Sequence, residues 1–262
     1  MLMLQALDAS KFFADTIALD KLNCTIPRGV TYGIVGSNGA GKSTLMRMFA
    51  GIFKPDGGQI SLNGESIFEN SQAKGQIILV PDELYFLPQA TLTRMAKLYS
   101  RSFPHFDFAY FDALVKLFQL DPKKPIRTFS KGMKRQSAII LAIAAKPQYL
   151  LLDEAFDGLD PMMRDVVRKI IARDASERGT TVAISSHSLR ELEDTCDYLA
   201  LLHKGALVFE DTKTNLMAQA PEGLEALFVR RLSEIGYNFD DALSAVYAQE
   251  TVAAAGEEEV AA

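Results

Sequence analysis

Gly36-Ser37-Asn38-Gly39-Ala40-Gly41-Lys42-Ser43-Thr44 is the stretch on which the reading of the fold turns. Before it, Val30 to Val35 is a short β-prone run. After it, Leu45 to Ala50 has helical spacing until Gly51 stops it. Strand, glycine loop and helix together are the setting in which glycines let backbone N–H groups face inward and wrap phosphate oxygens. Lys42 then reaches the β and γ phosphates, and Ser43 offers its hydroxyl to Mg²⁺. The segment therefore predicts a P-loop protein of the α/β class that binds a nucleoside triphosphate, with all nine residues Gly36 to Thr44 in the binding site.

Working outward, Ile77 to Val80, Tyr149 to Leu152 and Thr181 to Ile184 are uninterrupted apolar or β-branched runs between polar segments. Such runs suit buried strands of a mainly parallel sheet with flanking helices. From about residue 84 to 145 the pattern turns helical, over Leu92 to Ser102, Phe108 to Leu120 and Gly132 to Ala145, which predicts a helical lobe inserted into the core. Leu199 to His203 and Ala206 to Phe209 flank Lys204-Gly205 and read as a hairpin. The core is expected to end near Thr214. A short helical extension over 215–262 follows, with Gly223 to Gln249 as its helical part and a small, acidic, fraying stretch from Ala253 to Glu259.

Composition narrows the function classes. Lys and Arg number 28 against 33 Asp and Glu, a net charge of -5, so the surface lacks the positive excess that draws nucleic acid from solution. Cys24 and Cys196 stand far apart without metal-ligand spacing and are expected to be buried thiols in a reducing cytoplasm. No run approaches the ~18 apolar residues of a membrane span, and the start lacks a signal-peptide pattern, so the chain is expected not to cross a membrane itself.

Tyr149-Leu150-Leu151-Leu152-Asp153-Glu154 sets two carboxylates at a strand end, the edge where phosphate-binding loops of such sheets gather. Asp153 is expected to hold Mg²⁺ through water, and Glu154 to orient or deprotonate the attacking water. His187 follows the strand Thr181 to Ser186 and should reach the same edge.

Phe129-Ser130-Lys131-Gly132-Met133-Lys134-Arg135-Gln136, just upstream of that strand, is similar to the signature sequence of ATP-binding cassette (ABC) proteins. With the other motifs, the resemblance covers about residues 4 to 214. It implies an antiparallel β lobe at the N-terminus. It also implies that Phe13 stacks on adenine, that Gly158-Leu159-Asp160 crosses a dimer interface, and that His187 steadies the γ-phosphate. Ser130 and Gly132 would contact ATP held by a second cassette, in a dimer with two shared sites. The sequence departs from the family in three places: Asp82 stands where a glutamine usually meets metal or water, Lys131 replaces a glycine, and Met133 replaces a glutamine. Asp82 keeps the capacity to accept metal or water contacts, with a shorter reach.

The resemblance further implies a separate transmembrane permease as partner. The chain would be cytoplasmic, peripheral on the inner face of the cell membrane, and would contact the membrane only through that permease. The run Asp82 to Pro88, with Leu84, Tyr85, Phe86 and Leu87 as candidate groove residues, looks more like ATPases of the ABC-2 exporter type than like importer subunits. Two other readings are a soluble cassette ATPase of an assembly or maintenance machine, and a kinase or GTPase. The latter leaves Ser130 to Gly132 unexplained and lacks an Asn-Lys-x-Asp motif.

Overall fold

The computed structural model describes residues 3–236. In chain order the elements are β1 (Met3–Phe13), β2 (Thr16–Pro27), β3 (Thr31–Val35), α1 (Lys42–Phe49), β4 (Gly57–Leu62), β5 (Glu65–Ser66), α2 (Ser71–Lys74) and β6 (Ile77–Val80). There follow α3 (Leu92–Ser102), α4 (Phe108–Leu117), α5 (Lys131–Ala144), β7 (Tyr149–Asp153), α6 (Pro161–Arg178) and β8 (Thr181–Ser186). The last are α7 (Leu189–Glu193), β9 (Tyr198–His203), β10 (Ala206–Thr212), α8 (Lys213–Gln219) and α9 (Leu224–Glu234). The chain divides into two compact units, Met1–Thr214 and Asn215–Ala262. In the second, the described helix α9 buries Leu224, Leu227 and Phe228; Tyr237 to Gln249 and the acidic stretch from Ala253 lie outside the described residues.

The first unit carries two sheets. One is antiparallel, in the order β2-β1-β4-β5, and the other runs β10-β9-β3-β8-β7-β6. In the second sheet β9, β3, β8, β7 and β6 are parallel to their neighbours and only β10 is antiparallel. Every residue of β3, β7 and β8 is buried, which is why these strands read as continuous apolar or hydroxyl-bearing runs and not as alternation. Leu4, Leu22, Ile26, Tyr32, Ile34, Leu45, Met46 and Phe49 pack into one core, so both sheets and α1 share it. Cys24 and Cys196 are buried free thiols, and burial pushes both well above the ordinary thiol range.

The register places the site. Val35 pairs with Ser186, and Asp153 pairs with Ser185, so β3, β8 and β7 end at one level. The α3 to α5 segment forms the inserted lobe. Thr91, Asp107 and Ser130 cap α3, α4 and α5, each side chain accepting a backbone N–H from the first turn. α4 stops at Leu117, short of the expected Leu120, because Gln119 adopts a left-handed conformation and ends the helix.

Candidate active site

The glycine loop leaves β3 and enters α1 without a side-chain cap and without an acidic residue in the first turn. The helix N-terminus thus presents unsatisfied N–H groups and positive dipole to whatever lies above it, the condition for holding phosphate. At Gly41 the backbone has φ 104°, and a Cβ there would sit 2.5 Å from the Ala18 carbonyl oxygen. No other residue fits that turn without displacing β2.

Lys42 is buried at 5% exposure, and its ammonium donates to the carbonyls of Gly36 at 2.7 Å and Ser37 at 3.2 Å. It also lies 3.2 Å from Glu154 Oε1. Glu154 Oε2 faces His187 on the other side, 3.1 Å from Nδ1 and 3.3 Å from the backbone N–H. Glu154 has a left-handed backbone, φ 47°, and its N–H is held by Ser185 Oγ at 3.1 Å. That conformation is rare for a residue with a side chain and turns the carboxylate off the strand line toward the glycine loop.

Asp153 is fully buried, and its Oδ1 accepts from Ser43 Oγ at 3.1 Å and from Ser185 Oγ at 2.6 Å. Its Oδ2 is buried and has no hydrogen-bond partner among the described residues. A buried carboxylate oxygen without a donor is costly in isolation. Beside the Ser43 hydroxyl it supplies the hard oxygen donors that Mg²⁺ takes, so the residues fit that ion.

A cavity of about 240 Å³ is lined by Asn38 to Thr44, Asp82 and Glu154, together with Thr16, Ile17 and Ala18 of β2. Phe13 ends β1 opposite Thr16 and is 41% exposed. Its ring meets Phe53 edge-on at 5.3 Å, under the Lys11 ammonium. Asp82 lines the cavity, but its carboxylate pairs with Arg135 at 3.1 Å. The Arg135 guanidinium, 1% exposed, also donates to the Pro81 and Asp82 carbonyls at 2.6 and 2.7 Å. Asp82 is thus anchored to α5 while it borders the phosphate loop.

Ser130, Gly132 and Asp160 do not line that cavity. Ser130 caps α5 and Asp160 caps α6, each accepting an N–H of the first turn. A Cβ on Gly132 would sit 2.6 Å from the Gly158 carbonyl oxygen, so the start of α5 and the loop before α6 touch only because position 132 has no side chain. The Lys131 stem lies against Gly158 on the same surface.

Several residues of the site are not readable from motifs. Ser185 orients Asp153 and holds Glu154, and Thr16 to Ala18 close one wall of the cavity. Their only signal is the pair of hydroxyls ending β8; β2 pairs with the adjacent β1 alone and reaches the glycine loop through the Ala18 carbonyl, which lies against Gly41.

The ABC transporter family profile matches residues 19–157. The ABC transporter ATP-binding protein YtrB of Bacillus subtilis is 31% identical over 205 residues, spanning 78% of this chain and 70% of the relative. The bacitracin transport ATP-binding protein BcrA of Bacillus licheniformis is 33% identical over 214 residues, 79% and 69% of the two chains. The lantibiotic transport ATP-binding protein SrtF of Streptococcus pyogenes is 32% identical over 232 residues, 86% and 96%. Among solved structures, an ATP-binding subunit of an ABC transporter superposes with TM-score 0.79 at 26% identity, covering 87% of this chain and 99% of that one.

Proposed function

Because the chain belongs to the ABC transporter family as an ATP-binding, ATP-hydrolysing subunit, we propose that it powers export through a separate membrane-spanning partner. Among the described residues no helix is long and apolar enough to cross a membrane. The resemblance to proteins named as ATP-binding subunits of transporters supports a path formed by another chain. Relatives named for bacitracin transport, lantibiotic transport and linearmycin resistance support outward movement over uptake.

The observation that carries the catalytic reading is the Glu154 carboxylate held between Lys42 and His187, beside the unpartnered oxygen of Asp153. On ATP binding the Lys42 ammonium exchanges its carbonyl and carboxylate contacts for phosphate oxygens, a charge-assisted contact in a shielded pocket. Glu154, released on that side, takes a proton from the attacking water. The new bond forms from water oxygen to the γ phosphorus, the bond from that phosphorus to the β–γ bridging oxygen breaks, and ADP leaves with phosphate. His187 fixes the free edge of Glu154 and is assigned to steady the γ-phosphate. Ser43 and Asp153 would hold Mg²⁺, which neutralises charge on the phosphates.

Ser130, Gly132 and Asp160, lying outside this cavity, are assigned to the ATP of a second cassette, as in the shared sites of the family. Phe13 is assigned to the adenine face. The cassette is assigned to 1–214, with 215–262 as a short extension.

Affinity purification of the tagged chain from detergent-solubilised membranes tests the partnership. The expected result is retention of a polytopic membrane protein whose presence raises ATP hydrolysis. Recovery of the chain with soluble proteins alone, at full activity, would favour a cassette ATPase of a soluble machine.

A further inference from the structure

Two residues outside the nucleotide cavity close a ring of contacts around Glu154 and His187. Arg164, in the first turns of α6, donates from Nε to the Leu159 carbonyl at 3.0 Å and from Nη1 to Glu191 Oε1 at 2.6 Å. Glu191 is 8% exposed, and its Oε2 accepts from Ser186 Oγ at 2.8 Å. The same Ser186 Oγ accepts the Ser188 N–H at 3.0 Å, so the residues on both sides of His187 are tied to one carboxylate. At the opposite end, His187 meets Glu154 Oε2, and the turn from Glu154 to Leu159 is closed by two backbone bonds. These are Asp157 N–H to the Glu154 carbonyl at 3.1 Å and Leu159 N–H to the Phe156 carbonyl at 3.2 Å.

We propose that Arg164 and Glu191 form a positioning pair for hydrolysis, linking the loop Asp157–Asp160 to the strand end that carries His187. The proposal rests on the reading of Glu154 and His187 above and adds a route by which that loop reaches them. Three features favour a coupling role over simple packing. The guanidinium serves two acceptors on different segments from two separate nitrogens, Nε and Nη1, in one fixed plane, a geometry that the single nitrogen of an ammonium does not reproduce. The Glu191 carboxylate is nearly buried, so loss of Arg164 leaves its charge uncompensated and forces it to rotate, and Ser186 moves with it. Finally, the bonds run in a closed circuit, so a displacement of the loop when another protein surface seats on it is carried to His187 through rigid groups.

The test measures kcat, KM and nucleotide affinity for Arg164→Lys and Glu191→Gln, each alone and with His187→Ala. If the pair acts through His187, each single variant lowers kcat roughly tenfold with KM within about twofold, and adds less than about twofold to the loss caused by His187→Ala. Undiminished kcat in both single variants overturns the proposal. So does a loss that multiplies unchanged in the His187→Ala background, or a fall in nucleotide affinity that matches the fall in kcat, either of which marks a structural role. Full activity of His187→Ala alone would remove His187 from the site, and the pair's route with it, a result distinct from the others.

Discussion

At the scale of single residues, the site is organised by charges that have more than one place to go. Lys42 is satisfied by two loop carbonyls and Glu154, contacts that the proposed mechanism exchanges for phosphate oxygens. Asp153 is different: among the described residues Oδ1 is engaged twice and Oδ2 not at all, so one oxygen is left for the proposed cation. Asp153→Asn keeps an acceptor for Ser43 and Ser185 but removes the negative charge, and can place a donor where the cation belongs. The expected outcome is a rise of roughly tenfold or more in the Mg²⁺ concentration that half-saturates phosphate release, with the melting temperature little changed. An unaltered Mg²⁺ requirement, read by titrating the metal at fixed ATP, would take Asp153 out of the metal site. Burial separates such residues from inert ones of the same chemistry: Cys24 and Cys196 are fully enclosed thiols pushed far from reactivity.

At the scale of elements, the lobe α3–α5 depends on caps and on a few ion pairs. Asp107 caps α4 and accepts from Lys146, just past α5, at 2.6 Å; the Lys146 contact, then the Tyr110 N–H, hold its carboxyl below the usual carboxylate range. A depressed folded-state pKa means that this contribution is fully present above the ordinary value near about 3.9 and is lost as pH falls through the lower, folded value. Asp107→Asn retains the cap and removes the ion pair. The variant should be slightly less stable than wild type at pH 7, by under about 1 kcal/mol in unfolding free energy, with the gap shrinking as pH falls below about 4. A gap that is constant across pH would mean that the pair contributes nothing. The same scale shows what the sequence discloses. Ile77–Val80, Leu92–Ser102 and the Lys204-Gly205 hairpin appear where apolar runs and turn residues put them, because burial on both faces or one amphipathic stripe leaves a local pattern. Helix α6 leaves almost none, since only Val167, Ile171, Asp174 and Ala175 of its 18 residues are buried; the surer signals are Asp160-Pro161 at its start and Gly179 at its end. Ser185, Arg164 and Glu191 are invisible to motif reading because each acts on a partner 27 or more residues away.

At the scale of the whole molecule, the first unit presents two surfaces of complementary chemistry. One is the cavity over the glycine loop, lined in part by Glu154, which His187 contacts; the other is the start of α5, where Lys131 and Gly132 adjoin Gly158. Gly36 to Thr44 and Glu154 declare the first in sequence. The second is readable only through family resemblance, because a capped helix beginning with Ser-Lys-Gly is by itself ordinary. On the proposed reading, the residues assigned to the phosphates on one surface and those assigned to a trans ATP on the other make a complete site only when two cassettes meet head to tail. If Glu154 is the base, replacing its carboxylate by an amide of the same shape removes the base with little change of volume, and ATP should be trapped between cassettes that cannot hydrolyse it. The decisive measurement is therefore size exclusion and phosphate release of wild type and Glu154→Gln with ATP and Mg²⁺. The account predicts a stable ATP-dependent dimer of the variant with hydrolysis abolished. A variant that stays monomeric would contradict the shared site, and one that hydrolyses ATP at the wild-type rate would contradict Glu154 as its base.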